Sequence, residues 1–205
     1  MVKNKKIGVL GGTFNPPHFG HLKLAKSALN KLKLDKIIFI PAGIPALKKS
    51  NLAPAKDRLK MASLLINAEP KFKILDYEIK KREKSYTIDT IKYLKRKYRN
   101  SKIYWLIGED SLREISEEKW KGKLKILDLA NFVVFTRPNH EFILKCLPKK
   151  FEKNKEIALK KVILMKKKIP VSATKIREKI GKGQSVEKFL PKKVAKYIKE
   201  KKLYV

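Results

Sequence analysis

The chain of 205 residues contains one cysteine and no long apolar run. Cys146 cannot form an internal disulfide, which is typical of a protein of the reducing cytosol, so we expect a cytoplasmic location. No segment approaches the ~18 consecutive apolar residues that a membrane-spanning helix needs, so we expect no membrane partner. Apolar residues still make up 43% of the chain, which is enough for a folded core.

Acidic residues are scarce, with 19 aspartates and glutamates against 52 lysines and arginines and a net charge of +33. This charge is typical of proteins that bind nucleic acids, and a basic nucleic-acid-binding protein stays an alternative. The lysines, however, are spread along the whole chain, without zinc-ligand spacing or an RNA-binding aromatic signature. We therefore expect a lysine-rich, solvated surface and no specific nucleic-acid partner.

Familiar motifs are absent as well. The chain lacks the Gly-Lys-Ser/Thr ending of a P-loop and the Gly-x-Gly-x-x-Gly fingerprint of dinucleotide-binding folds. It also shows no Ser/His/Asp or Cys/His arrangement of the kind that nucleophilic catalysis uses. A nucleotide site in this chain must therefore be built from another kind of loop.

Two of the three histidines lie in the segment Gly11–His21, which reads Gly-Gly-Thr-Phe-Asn-Pro-Pro-His-Phe-Gly-His. The short run Lys6–Leu10 before it predicts a buried strand, and apolar residues at helical spacing over 22–32 predict a helix after it. His18 and His21 therefore lie at a helix N-terminus, whose N–H groups attract anions, and imidazoles add donors that can also carry charge. This arrangement predicts a nucleotide triphosphate site. The alternative is an ordinary strand-to-helix turn with two solvent-facing histidines.

Short apolar runs alternate with longer helical patterns, which predicts an α/β fold with a parallel sheet. Candidate strands are Lys6–Leu10, Lys36–Pro41, Phe72–Leu75, Ile103–Ile107, Phe132–Thr136 and Val162–Met165. Helical patterns cover Gly20–Leu32, Lys56–Asn67, Thr87–Tyr98, Gly108–Ile115, Gly122–Asp128, Ser172–Ile180 and Pro191–Lys201. We expect a Rossmann-like, doubly wound, mainly parallel sheet with helices on both faces and a strand order around 3-2-1-4-5. We also expect one domain over 1–205, with a C-terminal helical part (about 172–205) packed on it.

In such sheets, ligands bind beyond the carboxyl ends of the strands, where the strand order reverses. The segment Gly11–His21 follows the first strand and Gly108–Asp110 follows the fourth, so both would border one crevice if these strands are neighbours. Ser172, a good N-cap residue, Thr174 and Arg177 start a C-terminal helix and could grip a phosphate. An ordinary capped helix with a solvated arginine is the alternative for this element.

The segment Gly11–His21 resembles the (T/H)xGH signature of the nucleotidyltransferase superfamily, and its longer form resembles that of bacterial nicotinate-nucleotide adenylyltransferases. The element Ser172–Arg177 is similar to the one that closes the ATP site in this superfamily. The stretch Ser85–Thr90 and Trp120 are similar to features of the adenylyltransferase family, although a capped amphipathic helix would also explain Thr87. The resemblance covers almost the whole chain. The chain departs from the family pattern at Asn15 (where the family usually has Asp), Leu47, Lys121 and Ala173.

The resemblance implies transfer of an adenylyl group from ATP to nicotinate mononucleotide, which gives nicotinate adenine dinucleotide and pyrophosphate. The implied ATP-binding residues are Gly11, Gly12, Thr13, Phe14, His18, His21, Lys48, Gly108, Asp110, Ser172, Thr174 and Arg177. The implied nicotinate mononucleotide-binding residues are Asn15, Lys48, Ser85, Tyr86, Thr87, Trp120 and Arg137. Acceptors that stay as alternatives are phosphopantetheine and nicotinamide mononucleotide.

His18, His21 and Arg177 are the implied catalytic residues. His21 is expected at the α-phosphate and His18 at the β- or γ-phosphate, while Arg177 holds the leaving pyrophosphate together with the hydroxyls of Ser172 and Thr174. Mg²⁺ is the expected cofactor, bound through the ATP phosphates without dedicated protein ligands. The expected partners are ATP and nicotinate mononucleotide, and a homo-oligomer is left open.

Overall fold

The computed structural model describes residues 4–47, 51–136, 162–166 and 171–205. Their strands are β1 Lys5–Gly12, β2 Lys36–Pro41, β3 Ile44–Pro45, β4 Phe72–Ile74, β5 Lys84–Ser85, β6 Ser101–Gly108, β7 Asn131–Thr136 and β8 Val162–Lys166. Their α-helices are α1 Phe19–Lys31, α2 Ala55–Ile66, α3 Tyr77–Lys80, α4 Thr87–Lys97, α5 Glu109–Ser116, α6 Ala173–Gly181 and α7 Lys192–Glu200. A 3₁₀ helix covers Lys123–Asp128.

Six strands form one parallel sheet in the order β4-β2-β1-β6-β7-β8, and the short strands β3 and β5 pair with each other. The six predicted strands are thus found, and the predicted order 3-2-1-4-5 is confirmed, with β8 added beyond β7. The sequence patterns missed α3, β3 and β5, because elements of two to four residues are too short to show a period. The order reverses between β1 and β6, where Leu10 pairs with Leu106.

Both faces of the sheet are buried, because successive side chains of a strand point to opposite faces. On β2, Ile37 and Phe39 belong to one core cluster, whereas Ile38 and Ile40 belong to a second. Helices α1, α2, α6 and α7 supply the first cluster, and α4, α5 and the 3₁₀ helix supply the second. The prediction of helices on both faces is therefore confirmed.

The last helix packs on the main body of the fold. Val194 and Ile198 of α7 share the first core cluster with Met61 of α2. The phenol of Tyr197 donates a hydrogen bond to Asp57 Oδ1 on α2 at 2.7 Å. These contacts support the one-domain organisation, which stays a prediction. Within the described ranges, no helix is both long enough and apolar enough to cross a membrane.

Candidate active site

A cavity of about 570 Å³ opens where β1 and β6 end side by side. Strand order reverses at this point, which is where ligands bind in doubly wound sheets. The predicted site residues that line the cavity are Gly11, Gly12, Thr13, His21, Ser85, Tyr86, Thr87, Gly108 and Trp120. Segments from several distant parts of the chain therefore meet at one place.

A second, larger groove of about 820 Å³ lies beside α7. None of the predicted site residues lines it, and its charged lining is mostly lysine. We therefore place the candidate site at the smaller cavity, where the motifs converge.

Phe14 turns the chain after β1 and anchors this turn in the core. Its backbone is left-handed, with φ of 49°, and its side chain is fully buried. The ring centroid lies 5.8 Å from that of Phe39 and 5.0 Å from that of His21. The ring of Phe14 is thus not in the cavity wall, in contrast to the predicted ATP contact, and instead it packs beside His21.

The two histidines lie against each other at the start of α1, with ring centroids 3.9 Å apart. The backbone N–H of His18 donates to Nδ1 of His21 at 3.2 Å. Since Nδ1 accepts this bond, the neutral His21 ring carries its proton on Nε2. His21 lines the cavity and can offer this proton to a phosphate oxygen.

His18 is buried, with 7% of its surface exposed, and it does not line the cavity. Burial lowers the pKa of its side chain from 6.5 to about 4, so the ring is neutral at pH 7. The expectation that both imidazoles could carry charge is therefore wrong for His18. Its Nδ1 has no hydrogen-bond partner within the described part of the chain. An unpaired buried nitrogen is unfavourable and is typical of an atom that a ligand or a water completes.

Arg177 joins the C-terminal part of the chain to the histidine segment. Its Nη1 donates to the main-chain oxygen of Asn15 at 2.8 Å, and its Nη2 donates to Thr174 Oγ1 at 3.3 Å. Ser172 stands at the N-cap position of α6, but its hydroxyl makes no capping bond to the described helix, unlike the expected cap. Ser172, Thr174 and Arg177 are not among the residues that line the cavity.

Asn15 is buried, and both the nitrogen and the oxygen of its side-chain amide form hydrogen bonds with other residues of the protein. Its Nδ2 donates to the carbonyl of Asn51 at 2.7 Å, while Oδ1 accepts from the N–H of Ala53 at 2.9 Å and from the phenol of Tyr204 at 2.8 Å. The structure therefore shows a residue that fastens neighbouring segments, whereas a contact with nicotinate mononucleotide was expected. The bond to Asn51 needs a donor, which an amide has and an ionised carboxylate lacks.

The predicted nicotinate residues Ser85, Tyr86 and Thr87 lie at the start of α4 and in the cavity wall. Tyr86 stands at the N-cap position, and its side chain makes no capping bond to the described helix, so Thr87 is the first helical residue instead of a cap. The first N–H groups of a helix lack intrahelical partners and carry partial positive charge. This terminus therefore suits a carboxylate.

Trp120 reaches the cavity from the chain that follows α5. Its Nε1 donates to Glu114 Oε2 at 3.0 Å, and its ring packs against the second core cluster. The neighbouring Lys121 lies with Nζ 3.3 Å from Asp89 Oδ2 and 4.6 Å from the centroid of the Tyr86 ring. The indole is thus held by a hydrogen bond and by packing, which suits a ring that stacks on a ligand.

The two predicted residues after β6 differ in position. Gly108 lines the cavity, and a Cβ at this position would meet no described atom within 4 Å. Asp110 is exposed, accepts a hydrogen bond from Arg113 Nη2 at 2.9 Å, and is not a lining residue. Asp110 is thus outside the cavity wall, and its contact with ATP stays a prediction.

Lys48 and Arg137 lie outside the described residues, as does Cys146. Among the residues that are described, no three histidine, cysteine, aspartate or glutamate side chains gather closely enough to hold a metal ion.

Comparison with known proteins identifies the family. The model of the cytidylyltransferase-like family matches residues 9–179. A Clostridium tetani protein named "Probable nicotinate-nucleotide adenylyltransferase" is 41% identical over 206 residues, covering 98% of this chain and 99% of its own. A Clostridium acetobutylicum protein of the same name is 38% identical over 202 residues, covering 98% and 100%. The chain belongs to the nicotinate-nucleotide adenylyltransferase family.

Solved structures show the same fold. The Plasmodium falciparum nicotinic acid mononucleotide adenylyltransferase complexed with NaAD superposes with a TM-score of 0.78 at 20% identity, covering 98% of each chain. The same enzyme complexed with APC superposes with a TM-score of 0.75, also at 20% identity and 98% coverage. The predicted Rossmann-like fold is therefore confirmed, and the relatives at 38–41% identity confirm the stated family resemblance.

Arg58 of α2 is a buried residue that the sequence motifs of this adenylyltransferase did not reveal. Its guanidinium donates to the carbonyls of Ala53 (2.9 Å), Thr13 (2.9 Å), Ala42 (2.6 Å) and Gly43 (2.8 Å). Burial lowers the pKa of this guanidinium, which nonetheless stays charged. One side chain thus fixes the loop after β2 against the histidine segment.

A sequence signal for Arg58 does exist. It precedes Met61, Ala62 and Leu65 at helical spacing, and all four side chains are buried. An arginine in an apolar helical stripe is unusual, because charged side chains are rarely buried. The position of Arg58 in this stripe therefore indicates a buried guanidinium that hydrogen-bonds to other parts of the protein.

Glu78 is a second residue that the sequence patterns missed. It is buried in the cavity wall, where its Oε1 accepts a hydrogen bond from Thr90 Oγ1 at 2.7 Å. Burial raises the pKa of its carboxyl, although hydrogen bonds from Thr90 and Ser85 oppose the rise. Ser85 Oγ also accepts the N–H of Gly43 at 3.1 Å. This network ties the start of α4 to the loop after β2. The sequence pattern did not reveal Glu78, because the helix that carries it, α3, is too short to show a helical period.

Proposed function

We propose that this protein transfers the adenylyl group of MgATP to nicotinate mononucleotide, with pyrophosphate as the second product. The observation that carries the proposal is one cavity lined by two chemically distinct sets of residues. One set is His21 with the glycine-bearing turn, and the other is the start of α4 with Trp120. The relatives named nicotinate-nucleotide adenylyltransferase align with this chain over nearly their full length, and they support the same reaction.

The residues at the start of α4, together with Trp120, account for recognition of the acceptor. A carboxylate at a helix N-terminus gains ~0.3–1 kcal/mol from the helix dipole, and a neutral carboxamide gains less. The side chain of Trp120 offers an aromatic face for the pyridine ring. The geometry therefore favours nicotinate over nicotinamide as the bound ring.

The residues around His21 account for the chemistry. The acceptor phosphate has a second pKa of ~6, so at neutral pH it is a nucleophile without help from a base. Its oxygen forms a bond to the α-phosphorus of ATP as the bond from that phosphorus to the β-phosphate oxygen breaks, and pyrophosphate leaves. The protein contributes alignment and charge stabilisation, with His21 Nε2–H as a donor at the α-phosphate and Arg177 next to the leaving group.

Mg²⁺ fits this proposal as part of the substrate. The ion is expected to arrive as MgATP, held by phosphate oxygens, because Mg²⁺ in nucleotide sites is usually bound through the substrate phosphates. When bound, it neutralises phosphate charge. A cytoplasmic location is also part of the proposal and rests on the lone cysteine.

A substrate panel tests the function. Pyrophosphate release is measured with MgATP and, in separate reactions, nicotinate mononucleotide, nicotinamide mononucleotide and phosphopantetheine. We expect nicotinate mononucleotide to have the highest kcat/KM and the His21→Ala variant to lose ~10²-fold in kcat. A higher kcat/KM with either other acceptor would refute the assigned substrate, and full turnover by His21→Ala would remove His21 from the reaction.

A further inference from the structure

The chain after α7 ends in an unusual backbone. Lys202 and Tyr204 both adopt left-handed conformations, with φ of 48° and 68°, while the N–H of Leu203 between them donates to the carbonyl of Ile198 at 3.0 Å. A bulky residue such as tyrosine rarely adopts positive φ unless its surroundings hold it there. Tyr204 is half-buried against the first core cluster, so the surroundings do hold it.

This backbone directs the phenol of Tyr204 to the histidine segment. Its Oη donates to Asn15 Oδ1 at 2.8 Å across a sequence separation of 189 residues. Burial raises the pKa of the phenol, while Arg177 and Arg58 oppose the rise, so Tyr204 stays a neutral donor at physiological pH. The penultimate residue of the chain is therefore bonded to the loop that contains His18.

Asn15 is the junction through which this contact reaches the site. Its main-chain oxygen accepts Arg177 Nη1 at 2.8 Å, so the same residue meets the C-terminal tail and the guanidinium assigned to the leaving group. On its other side, only Pro16 and Pro17 separate it from His18. Since the proline ring fixes φ, this connection is stiff, and a shift of Asn15 is passed to His18.

We propose that Tyr204 is a positioning residue of the active site. Its phenol sets Asn15, and Asn15 in turn sets the orientation of Arg177 and of the turn that carries His18. Tyr204 itself touches no substrate in this proposal. The role in catalysis rests on the proposed adenylyl transfer, whereas the role in ordering the histidine segment can be measured without it.

The test compares Tyr204→Phe with a matched control, Tyr197→Phe. Both phenols belong to the C-terminal part and donate one hydrogen bond, but Tyr197 donates to Asp57 Oδ1 on α2 and not to a residue of the histidine segment. We expect Tyr204→Phe to lower kcat ~5-fold, the factor that loss of one hydrogen bond gives, with an unchanged KM for nicotinate mononucleotide. We expect Tyr197→Phe to keep the wild-type kcat.

Hydrogen exchange provides the readout that does not depend on turnover. The amides of Phe14, Asn15 and His18 should exchange faster in Tyr204→Phe than in the wild type, and should be unchanged in Tyr197→Phe. In an Asn15→Ala background, Tyr204→Phe should have no further effect on kcat, because the acceptor is gone.

Each outcome decides between the proposals. Wild-type exchange and wild-type kcat in Tyr204→Phe would refute the positioning role. Equal effects of the two tyrosine variants would show a general role of the C-terminal part in stability and would refute it as well. If the wild type does not turn over, the adenylyl-transfer proposal fails, and the exchange data alone decide the role of Tyr204.

Discussion

Replacement of Arg58 by methionine tests the claim that one buried guanidinium holds the loop after β2 against the histidine segment. The substitution removes the donors of four hydrogen bonds to main-chain carbonyls, and two of these carbonyls belong to the cavity-lining residues Thr13 and Ala42. Hydrogen bonds from a charged group contribute ~1.5–3 kcal/mol each, although such values do not add. Methionine avoids the desolvation of a charge, which offsets part of the loss.

The net loss expected for Arg58→Met is ~3–5 kcal/mol, because four carbonyls lose their donor at ~1–3 kcal/mol each when buried, and these losses do not add. For a chain of this size, each kcal/mol shifts Tm by ~2–4 °C, so the midpoint should fall by about 10 °C. Arg58→Lys keeps the charge but cannot form the planar fork, so we expect an intermediate loss. The exposed Arg99→Met is the control and should change stability by less than ~0.5 kcal/mol.

Urea unfolding followed by circular dichroism gives the free energies, and pyrophosphate release gives kcat. Because Thr13 lines the cavity, Arg58→Met should also lower kcat at temperatures where the variant is folded. A midpoint within 2–3 °C of the wild type, a shift of only ~1 kcal/mol, would refute the idea that these four bonds organise the loop.

Three further predictions concern separate parts of the fold. His18 has a pKa of about 4 when folded and 6.5 when unfolded, so the unfolded state binds more protons between these values and stability falls as pH drops from 6.5 to 4. The difference in unfolding free energy between wild type and His18→Gln should fall by ~3 kcal/mol over this window, and a flat difference would contradict a buried neutral ring. Trp120→Ala should raise KM for nicotinate mononucleotide ~10-fold and leave that for ATP nearly unchanged, whereas equal increases would indicate a folding role. Gly43→Ala should cost ~1–3 kcal/mol, because its Cβ would collide with the carbonyl of Glu78, whereas Gly108→Ala should leave Tm unchanged; similar melting points for both variants would contradict the packing at Gly43.

Much of the fold could be predicted because its signals are local. The strands β1, β2, β6 and β7 are continuous runs of buried apolar residues, and α1 and α4 carry helical stripes. The histidine segment is also continuous in sequence, so its position at the end of β1 followed from the strand and helix on either side. Trp120 and the start of α4 were found through the family resemblance and do line the cavity.

The remaining site features depend on contacts between distant residues. Arg58 reaches Thr13 across 45 positions, and Tyr204 reaches Asn15 across 189, so neither pair shows a spacing that a pattern can detect. Asn15 matches the family motif only approximately, and its use as a junction became visible from its partners. The hydroxyl of Ser172 was expected to cap α6 and does not, because the N-cap position alone does not determine a side-chain rotamer.

The sequence by itself determined the α/β class with a parallel sheet, because side-chain period is a property of neighbouring residues, and its motifs indicated the family. The strand order was an expectation that the structure confirmed. Only the tertiary structure decided that His18 is neutral, that Asn15 is occupied by protein atoms, and that a buried arginine and the penultimate tyrosine hold the histidine segment. Burial and long-range hydrogen bonding set these properties, and both depend on which distant segments the folded chain brings together.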